Sequence, residues 1–177
     1  DLFHVNANDL LQREAVEPNR VLLKEVVSNN AVMITGAGGS IGAELSRQIA
    51  SLEPSRLVLF DSSEFGLYSI DMEIRQMYPE LEVVPILGSV LNEKLVRAAI
   101  TNNTVATVYH AAAYKHVPLV EGNPIEGVRN NVIGTQTVAA VCAVTNVKNF
   151  VLVSTDKAVR PTNVMGASKR VAELACQ

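Results

Sequence analysis

Residues 31–42 read Ala-Val-Met-Ile-Thr-Gly-Ala-Gly-Gly-Ser-Ile-Gly, an apolar run followed at once by a glycine-rich turn. A helical pattern continues from the turn, an order that presents backbone N–H groups and a helix N-terminus to a pyrophosphate. Gly36 would make the tight turn, Gly39 the close backbone approach and Gly42 the close helix–strand contact. Because the spacing is G-x-x-G-x-x-G rather than the usual G-x-G-x-x-G, the glycines alone leave open a turn that binds no ligand.

A carboxylate after the second predicted strand strengthens the nucleotide interpretation. Asp61 ends the apolar run Leu57–Phe60, 19 residues after Gly42. A carboxylate at this place can accept hydrogen bonds from an adenosine ribose and would repel a 2′-phosphate. The turn and Asp61 together therefore predict a dinucleotide site that prefers NAD to NADP.

The composition sets the class of protein and excludes several functions. The chain has 177 residues, 48% of them hydrophobic, and a net charge of −3, so we expect one domain with a sizeable core and no nucleic-acid partner. No apolar run approaches the roughly 20 residues of a membrane helix, so no membrane contact is expected of this segment. Cys142 and Cys176 lack metal-ligand spacing. We expect no metal, two free thiols in or near the core, and a reducing cytoplasm.

Strand-like and helix-like segments alternate along the chain. Predicted strands cover Val32–Thr35, Arg56–Phe60, Leu81–Leu87, Val105–His110 and Asn149–Ser154. Predicted helices run from Ser40 to about Leu52, Ser63 to about Tyr78, Asn92 to about Asn102, near Pro124 to about Thr145, and from Asn163 onward. This alternation predicts a Rossmann-like, doubly wound α/β fold with a parallel sheet over residues 30–177. Residues 1–29 would form a lead-in of one or two helical pieces, packed on the edge of the domain.

Polar and small residues follow the fourth and fifth predicted strands. Ala111–Ala113 leave room for a cofactor near the backbone, or simply pack closely. Lys115 and His116 can hold a nucleotide-sugar substrate, or are ordinary surface charges. Asn131 is unfavourable inside a helix and so serves either packing or a site. Ser154-Thr155-Asp156-Lys157 can supply an acid, a base and a positioning group, with a plain surface loop as the alternative.

The chain resembles the extended short-chain dehydrogenase/reductase superfamily, in which Thr-Gly-x-x-Gly-x-x-Gly precedes a site with Tyr-x-x-x-Lys. Within it, the chain is similar to bacterial nucleotide-sugar 4,6-dehydratases of the CapD/WbpM type, which act in capsule, O-antigen and protein-glycan biosynthesis. The similarity covers about residues 31–175. The segments that carry it are TGAGGSIGAEL, LVLFDSSEFGLYSI, VPILGSV, VYHAAAYKHVPLVEGNP, NNVIGT and FVLVSTDKAVRPTNVMGASKRVAEL.

The patterns and the resemblance together predict the site. The expected cofactor-binding residues are Gly36, Gly39, Ser40, Ile41, Gly42, Asp61, Ser62, Ser89, Val90, Ala111, Ala112, Ala113 and Lys169. The expected substrate-binding residues are Lys115, His116 and Asn131, and the expected catalytic residues are Thr155, Asp156, Lys157 and Lys169. The resemblance implies that Lys169 hydrogen-bonds the nicotinamide ribose.

One departure from the superfamily pattern concerns its catalytic tyrosine. Met165 stands at that position, and a thioether cannot exchange a proton. The larger members of the dehydratase group are similar in having methionine there, which favours that group and disfavours a 4-epimerase. More distantly related sugar-nucleotide dehydratases have Thr-Asp-Glu where this chain has Thr155-Asp156-Lys157. The resemblance therefore implies that Asp156 and Lys157 share the elimination chemistry.

The implied reaction is the NAD-dependent 4,6-dehydration of a UDP-N-acetylhexosamine, with UDP-N-acetylglucosamine as the expected substrate. Lys157 would remove the carbon-5 proton, which requires a neutral amine favoured by burial and by the charge of Lys169. Asp156 would protonate the leaving 6-hydroxyl, which requires a desolvated, partly protonated carboxyl. Thr155 would orient the 4-hydroxyl, whose base is left open. Another nicotinamide enzyme, a 4-epimerase or reductase, and a non-catalytic nucleotide-binding module remain as alternatives.

The ends of the sequence lead to a further expectation. The chain starts at Asp1 without a methionine and stops at Gln177 inside a helical pattern. We therefore expect part of a longer protein. Separately, we expect that protein to be cytoplasmic and homo-oligomeric, with an N-terminal anchor to the inner membrane left open. In the superfamily a sugar-nucleotide-binding region follows the Lys169 helix. Without it, this segment is expected to keep the Rossmann core, lack dehydratase activity and self-associate through its uncovered face.

Overall fold

A five-stranded parallel sheet forms the centre of the protein, which a computed structural model describes over residues 19–177. The strands are β1 (Ala31–Thr35), β2 (Arg56–Asp61), β3 (Val83–Leu87), β4 (Thr107–His110) and β5 (Asn149–Leu152). Each neighbouring pair is parallel, and the order across the sheet is β3-β2-β1-β4-β5. The Rossmann-like, doubly wound α/β prediction is confirmed. Because the strand order reverses beside β1, a crevice opens at the carboxyl ends of β1 and β4.

Helices connect the strands and cover both faces of the sheet. They are α1 (Arg20–Val27), α2 (Ser40–Ala50), α3 (Glu64–Met77), α4 (Glu93–Asn102), α5 (Val117–Gly122), α6 (Pro124–Val128), α7 (Gly134–Ala143) and α8 (Val164–Leu174). A π-helical turn at Arg129–Ile133 joins α6 to α7, and a 3-10 turn at Asp156–Ala158 precedes α8. The single regular helix predicted from near Pro124 to about Thr145 is therefore wrong. The Gly134 N–H bonds to Arg129 O, five residues back, and this widens the helix.

Each face of the sheet carries its own apolar core. Successive strand residues point to opposite faces, so Val32 and Ile34 pack with α2 and α3, whereas Met33 packs with α4 and α7. Every residue of the central strand β1 is buried, while the edge strand β3 is exposed at alternate positions. The loops that follow β1, β2, β4 and β5 consequently meet at one end of a firmly packed sheet.

Helix α1 attaches to the opposite end of the sheet. Thr107 Oγ1 donates a hydrogen bond to Val26 O (2.8 Å), and Ser28 Oγ donates one to Leu52 O (2.7 Å). One helical piece predicted for the lead-in thus packs on the domain edge. The other predicted piece, around Leu10-Leu11, lies outside the described residues.

The two cysteines differ in burial. Cys142 is a buried free thiol, and burial raises its pKa to about 12. Cys176 is also a free thiol, but it is exposed because it lies beyond the last turn of α8. The expectation that Cys176 lies in or near the core was therefore wrong. Over residues 19–177, no helix is both long and apolar enough to cross a membrane.

Candidate active site

The glycine turn after β1 shapes the start of α2. Gly36 has a φ of +70°, and a Cβ atom there would lie 2.7 Å from the Ala112 backbone. Gly42 packs α2 on the turn, because a Cβ atom there would overlap Gly36 O. Gly39 caps α2 without a side-chain hydrogen bond, and Ala43 N–H donates the bond that closes the first turn onto Gly39 O (2.8 Å). The N–H groups of Ser40, Ile41 and Gly42 in the first turn of α2 have no intrahelical acceptor within reach and can bind an anion.

Asp61 ends β2 with its carboxylate bound to the neighbouring backbone. Gly38 N–H donates to one oxygen and Ser63 N–H to the other, each at 2.8 Å. Each carboxylate oxygen keeps a further lone pair for a ligand hydroxyl. Gly38 also packs so closely on Gly66 of α3 that a Cβ atom at Gly38 would overlap the Gly66 backbone. Gly66 thus packs on this turn from α3, a contact that the sequence reasoning did not identify.

A cleft of about 330 Å³ runs along the glycine turn and is called here the glycine-turn cleft. Among its lining residues are the predicted cofactor residues Gly36, Gly39, Asp61, Ser62, Ser89, Val90, Ala111, Ala112 and Ala113. The lining also includes Phe60, Gly88, Tyr114 and Asn130, which were not predicted. Small residues, first-turn N–H groups and one carboxylate fit the shape and hydrogen-bonding needs of a dinucleotide.

A second cleft of about 310 Å³, the lysine cleft, adjoins the first. It is lined by Ile41, Ala111, Ala113, Tyr114, Lys115, Val153, Ser154, Thr155, Lys157, Met165 and Lys169. The two clefts share Ala111, Ala113 and Tyr114, which follow β4. Predicted residues from the ends of β4 and β5 and from α8 are thus brought together. Ser40 and Gly42 line neither cleft and lie at the start of α2.

The residues after β5 hold one another through short-range contacts. Thr155 Oγ1 donates to Asp156 Oδ1 (3.1 Å), and Lys157 Nζ donates to the same oxygen (3.4 Å). The hydrogen bond from Thr155 and the charge of Lys157 lower the pKa of Asp156 below its usual value. The Asp156 side chain is 77% exposed. The expectation that Asp156 is desolvated is therefore wrong for the residues described. The 3-10 turn keeps its carboxyl group at the surface.

Helix α8 brings Met165 and Lys169 to the lysine cleft, one turn apart. Both residues are buried. Lys169 Nζ donates to Val153 O (2.8 Å), just beyond β5. Burial lowers the pKa of Lys169, and the charge of Glu173 partly opposes this effect. The lysine amine is consequently fixed at the floor of the cleft.

The three predicted substrate residues separate into two groups. Lys115 and His116 are exposed and border a third, mainly apolar cleft of about 370 Å³. Asn131 is fully buried, and its amide accepts from Tyr114 N–H (2.7 Å) and donates to Tyr114 O (3.0 Å). The structure therefore gives Asn131 a different role from the predicted substrate contact. The π turn places its side chain inside, where it holds the loop at Tyr114.

His110 is a buried polar residue that the sequence reasoning did not identify. Its ring nitrogens lie 2.6 Å from Thr35 Oγ1 and 3.0 Å from Thr135 Oγ1. Burial, followed by the charge of Lys169, lowers the pKa of His110 to about 3. The sequence around His110 gives no sign of these partners, because Thr35 and Thr135 lie 75 and 25 residues away in the chain.

The sequence pattern of the family described as polysaccharide biosynthesis protein matches residues 32–177. The chain belongs to this family. The match covers β1 to α8, and therefore every element that forms the two clefts. The resemblance to nucleotide-sugar-modifying members of the extended short-chain dehydrogenase/reductase superfamily is confirmed by the relatives and the fold.

Three relatives show the range of the similarity. Over 178 residues the chain is 43% identical to the capsular polysaccharide biosynthesis protein CapD of Staphylococcus aureus, covering 100% of this chain and 30% of that protein. It is 32% identical over 139 residues to a UDP-N-acetylglucosamine 4,6-dehydratase (inverting) of Campylobacter jejuni, covering 78% and 40%. It is 39% identical over 152 residues to the UDP-glucose 4-epimerase of Rickettsia canadensis, covering 82% and 42%. The chain thus spans less than half the length of these relatives.

A solved structure shows the same fold. The dTDP-glucose 4,6-dehydratase DesIV of Streptomyces venezuelae, with NAD and TYD bound, superposes with a TM-score of 0.73 at 21% identity. The match covers 82% of this chain and 50% of that chain. At this level of identity the similarity supports the architecture alone.

Proposed function

We propose that this chain is the NAD-binding and catalytic part of an enzyme that dehydrates a UDP-N-acetylhexosamine at carbons 4 and 6. UDP-N-acetylglucosamine is the substrate we favour. The product would be a 4-keto-6-deoxy sugar nucleotide for a bacterial surface polysaccharide or glycan. Family membership and the capsular and dehydratase relatives support nucleotide-sugar modification in polysaccharide synthesis.

The observation that carries the proposal is the meeting of Lys157, Met165 and Lys169 around one cleft. That cleft adjoins the glycine-turn cleft through the alanines after β4. The glycine turn and Asp61 fit the adenosine and pyrophosphate part of NAD. The lysine cleft fits the nicotinamide end and the reacting sugar carbons. Asp61 would also favour NAD over NADP, because a 2′-phosphate would approach its carboxylate.

Three residues of the lysine cleft and the neighbouring Asp156, which does not line it, divide the chemistry among them. When bound, NAD would accept a hydride from carbon 4 of the sugar and return it to carbon 6. Lys169, fixed on Val153 O, would hydrogen-bond the nicotinamide ribose, and Thr155 would orient the sugar 4-hydroxyl. Lys157 would take the carbon-5 proton and return it once the hydride reaches carbon 6, and Asp156 would give a proton to the 6-hydroxyl, which leaves as water. The 4-hydroxyl proton would pass to solvent as carbon 4 is oxidised, and one proton taken up from solvent would restore the Asp156–Lys157 pair. Each proton-transfer role would contribute about 100- to 10,000-fold to the rate.

Both proton-transfer groups must be uncharged before elimination. In the residues described, the side chains of Asp156 and Lys157 are 77% and 52% exposed, and water stabilises their charged forms. Covering this pair with the sugar would remove that water and penalise both charges. Because Lys157 Nζ and Asp156 Oδ1 lie 3.4 Å apart, one proton passing between them would produce both neutral groups. We propose that substrate binding prepares the acid and the base in this single step.

A 4-epimerase is the second candidate, since the chain is 39% identical to a UDP-glucose 4-epimerase. Met165 counts against it. Its buried side chain lines the lysine cleft at the place of the superfamily tyrosine and cannot take the 4-hydroxyl proton. An elimination driven by Asp156 and Lys157 does not need a tyrosine for its carbon-5 step.

The test is to incubate the longer protein that contains this chain with UDP-N-acetylglucosamine and, separately, with its galacto epimer in deuterated water. We expect a 4-keto-6-deoxy product with deuterium at carbon 5 in the NMR spectrum. Interconversion of the two epimers without loss of water would instead show a 4-epimerase. A third outcome would indicate a binding module. In that case the protein binds NAD, converts neither sugar, and keeps its function when Thr155, Asp156 and Lys157 are all replaced by alanine.

A further inference from the structure

His110 takes no part in the chemistry proposed above, yet it occupies a central place in the fold. It is fully buried at the end of β4, directly before the alanines that both clefts share. Its ring stacks on Phe150 of β5 with the centroids 6.1 Å apart. Its two nitrogens face Thr35, at the end of β1, and Thr135, in α7. The imidazole therefore bridges two strands and the helix that follows the π turn.

The hydrogen bonds around His110 have a single consistent direction. Thr135 Oγ1 lies 2.7 Å from Asn131 O, which only accepts, so the Thr135 hydroxyl proton points at that carbonyl. Thr135 Oγ1 must then accept from His110 Nε2–H. Nδ1 is left without a proton and accepts from the Thr35 hydroxyl. His110 is thus a neutral imidazole with both nitrogens bonded, and its lowered pKa agrees with that state.

This chain of hydrogen bonds joins the parts that form the two clefts. Its first residue, Thr35, immediately precedes the glycine turn. Its last residue, Asn131, holds the Tyr114 backbone on both sides and donates to Ser168 Oγ of α8 (3.0 Å). Tyr114 lines both clefts, and α8 carries Met165 and Lys169. A shift of the π turn would consequently move the loop and α8 relative to the glycine turn.

We propose that His110 and Thr135 are positioning residues that hold the π turn, and through it the Tyr114 loop and α8, against the glycine turn. The Thr135 hydroxyl binds the Asn131 carbonyl inside a turn whose regular hydrogen bonds are disrupted. Relaxation of the π turn to an α-helix would rotate Asn131 by about 100°, one residue of a 3.6-residue turn, and release Tyr114. This inference rests on the proposed dehydration, because it assigns these residues to the same site.

The experiment compares three variants of the longer protein: Thr135→Val, Thr135→Ser and the matched control Thr107→Val. Thr107 is an equally buried threonine of β4, but its hydroxyl bonds to Val26 O at the far end of the sheet. We expect Thr135→Val to lower kcat about tenfold or more, because small misplacements at a reacting centre are costly. NAD affinity and KM should change less than about threefold, and Thr135→Ser should restore kcat. Thr107→Val should lower the melting temperature while leaving kcat within about twofold.

A second readout is independent of the reaction. The backbone amide resonance of Tyr114 should shift in Thr135→Val and in the additional variant Thr35→Val, which breaks the other end of the chain, but not in Thr107→Val. An unchanged Tyr114 resonance, or equal losses of kcat in Thr135→Val and Thr107→Val, would overturn the positioning role. If the unmodified protein converts neither sugar, the proposed function fails, and the Tyr114 resonance alone decides whether the positioning role stands. If Thr135→Val does not fold, Thr35→Val takes its place in both measurements, kcat and the Tyr114 amide resonance, with the same expected results.

Discussion

The glycine turn and the loop Thr155–Lys157 both end a strand of the same sheet, but they are held in different ways. The turn is fixed by distant backbone: Gly36 N–H donates to Phe60 O (2.8 Å), and Gly36 itself packs on Ala112. In the loop, Thr155, Asp156 and Lys157 hydrogen-bond among themselves, and the side chains of Asp156 and Lys157 remain exposed.

This difference agrees with the roles proposed for the two sites. A pyrophosphate is bound by backbone N–H groups and close approach, which the folded turn already provides. An acid and a base must be taken out of water before they act, and the residues described do not achieve this at Asp156. The geometry of the glycine turn is therefore already set by the described residues, whereas the proposed acid and base, Asp156 and Lys157, depend on what covers them.

The largest effect should come from removing the base. We expect Lys157→Ala in the longer protein to reduce dehydration about 100- to 10,000-fold and to abolish exchange of the carbon-5 proton with solvent. The exposed Lys148, before β5 and outside both clefts, offers a matched control as Lys148→Ala. Exchange measured by NMR at the unmodified rate in Lys157→Ala would show that another group is the base.

On the glycine-turn side, the next largest effect concerns packing. Gly42→Ala should destabilise the fold by about 3 kcal/mol, because the new methyl group overlaps the main-chain Gly36 O, which cannot move aside cheaply. Gly122→Ala is the control, since a Cβ atom there meets nothing within 4 Å. Urea denaturation of both variants measures the difference, and equal stabilities would show that the turn is not rigid.

A pH effect should distinguish the buried network from the exposed loop. The folded-state pKa of His110 is lowered to about 3 from 6.5, so below pH 6.5 the unfolded chain binds a proton that the folded chain cannot. The stability that the neutral ring contributes is fully present above pH 6.5 and is lost as the pH falls toward 3. Between pH 7 and pH 5 the loss should be about 2 kcal/mol. Urea denaturation at several pH values should show that the free energy of unfolding depends less on pH in His110→Gln than in the unmodified protein. Parallel plots of this free energy against pH for the two proteins would contradict a buried, neutral His110.

Asp61→Ala should narrow the preference for NAD over NADP by about tenfold, which corresponds to about 1.4 kcal/mol. The loss of the carboxylate removes a ribose acceptor and the charge that repels a 2′-phosphate. Calorimetric titration with both dinucleotides checks this expectation. Equal affinities for the two cofactors in the unmodified protein would remove the role assigned to Asp61.

The smallest effect is expected at Met165, the buried residue of the lysine cleft. Met165→Leu conserves volume and changes no proton-transfer group, so dehydration should stay within about threefold of the unmodified rate. Steady-state assays of dehydration by Met165→Leu, Lys157→Ala and the unmodified protein measure this difference. If both variants were equally inactive, the division of roles between the loop and α8 would be wrong.

The parts of the fold that were predicted correctly depend on local patterns. The β1 run, the glycine turn and Asp61 are separated by short, regular intervals, and alternating strands and helices imply a parallel sheet. The helix predicted from Asn92 begins there, because the Asn92 side chain caps it by accepting from Leu95 N–H. The grouping of residues from the ends of β4 and β5 also follows, because parallel strands end on the same side.

The sequence by itself therefore determined the sheet, the glycine turn and the residue types around the clefts, because each depends on neighbours close in the chain. The tertiary structure decided which of them are buried. His110 meets Thr35 and Thr135 at separations of 75 and 25 residues, which no local period encodes. Asn131, which lies in the π turn, is likewise held by Tyr114 and Ser168, at separations of 17 and 37 residues. Burial sets the charge state of a side chain, and burial exists only once the chain has closed around it.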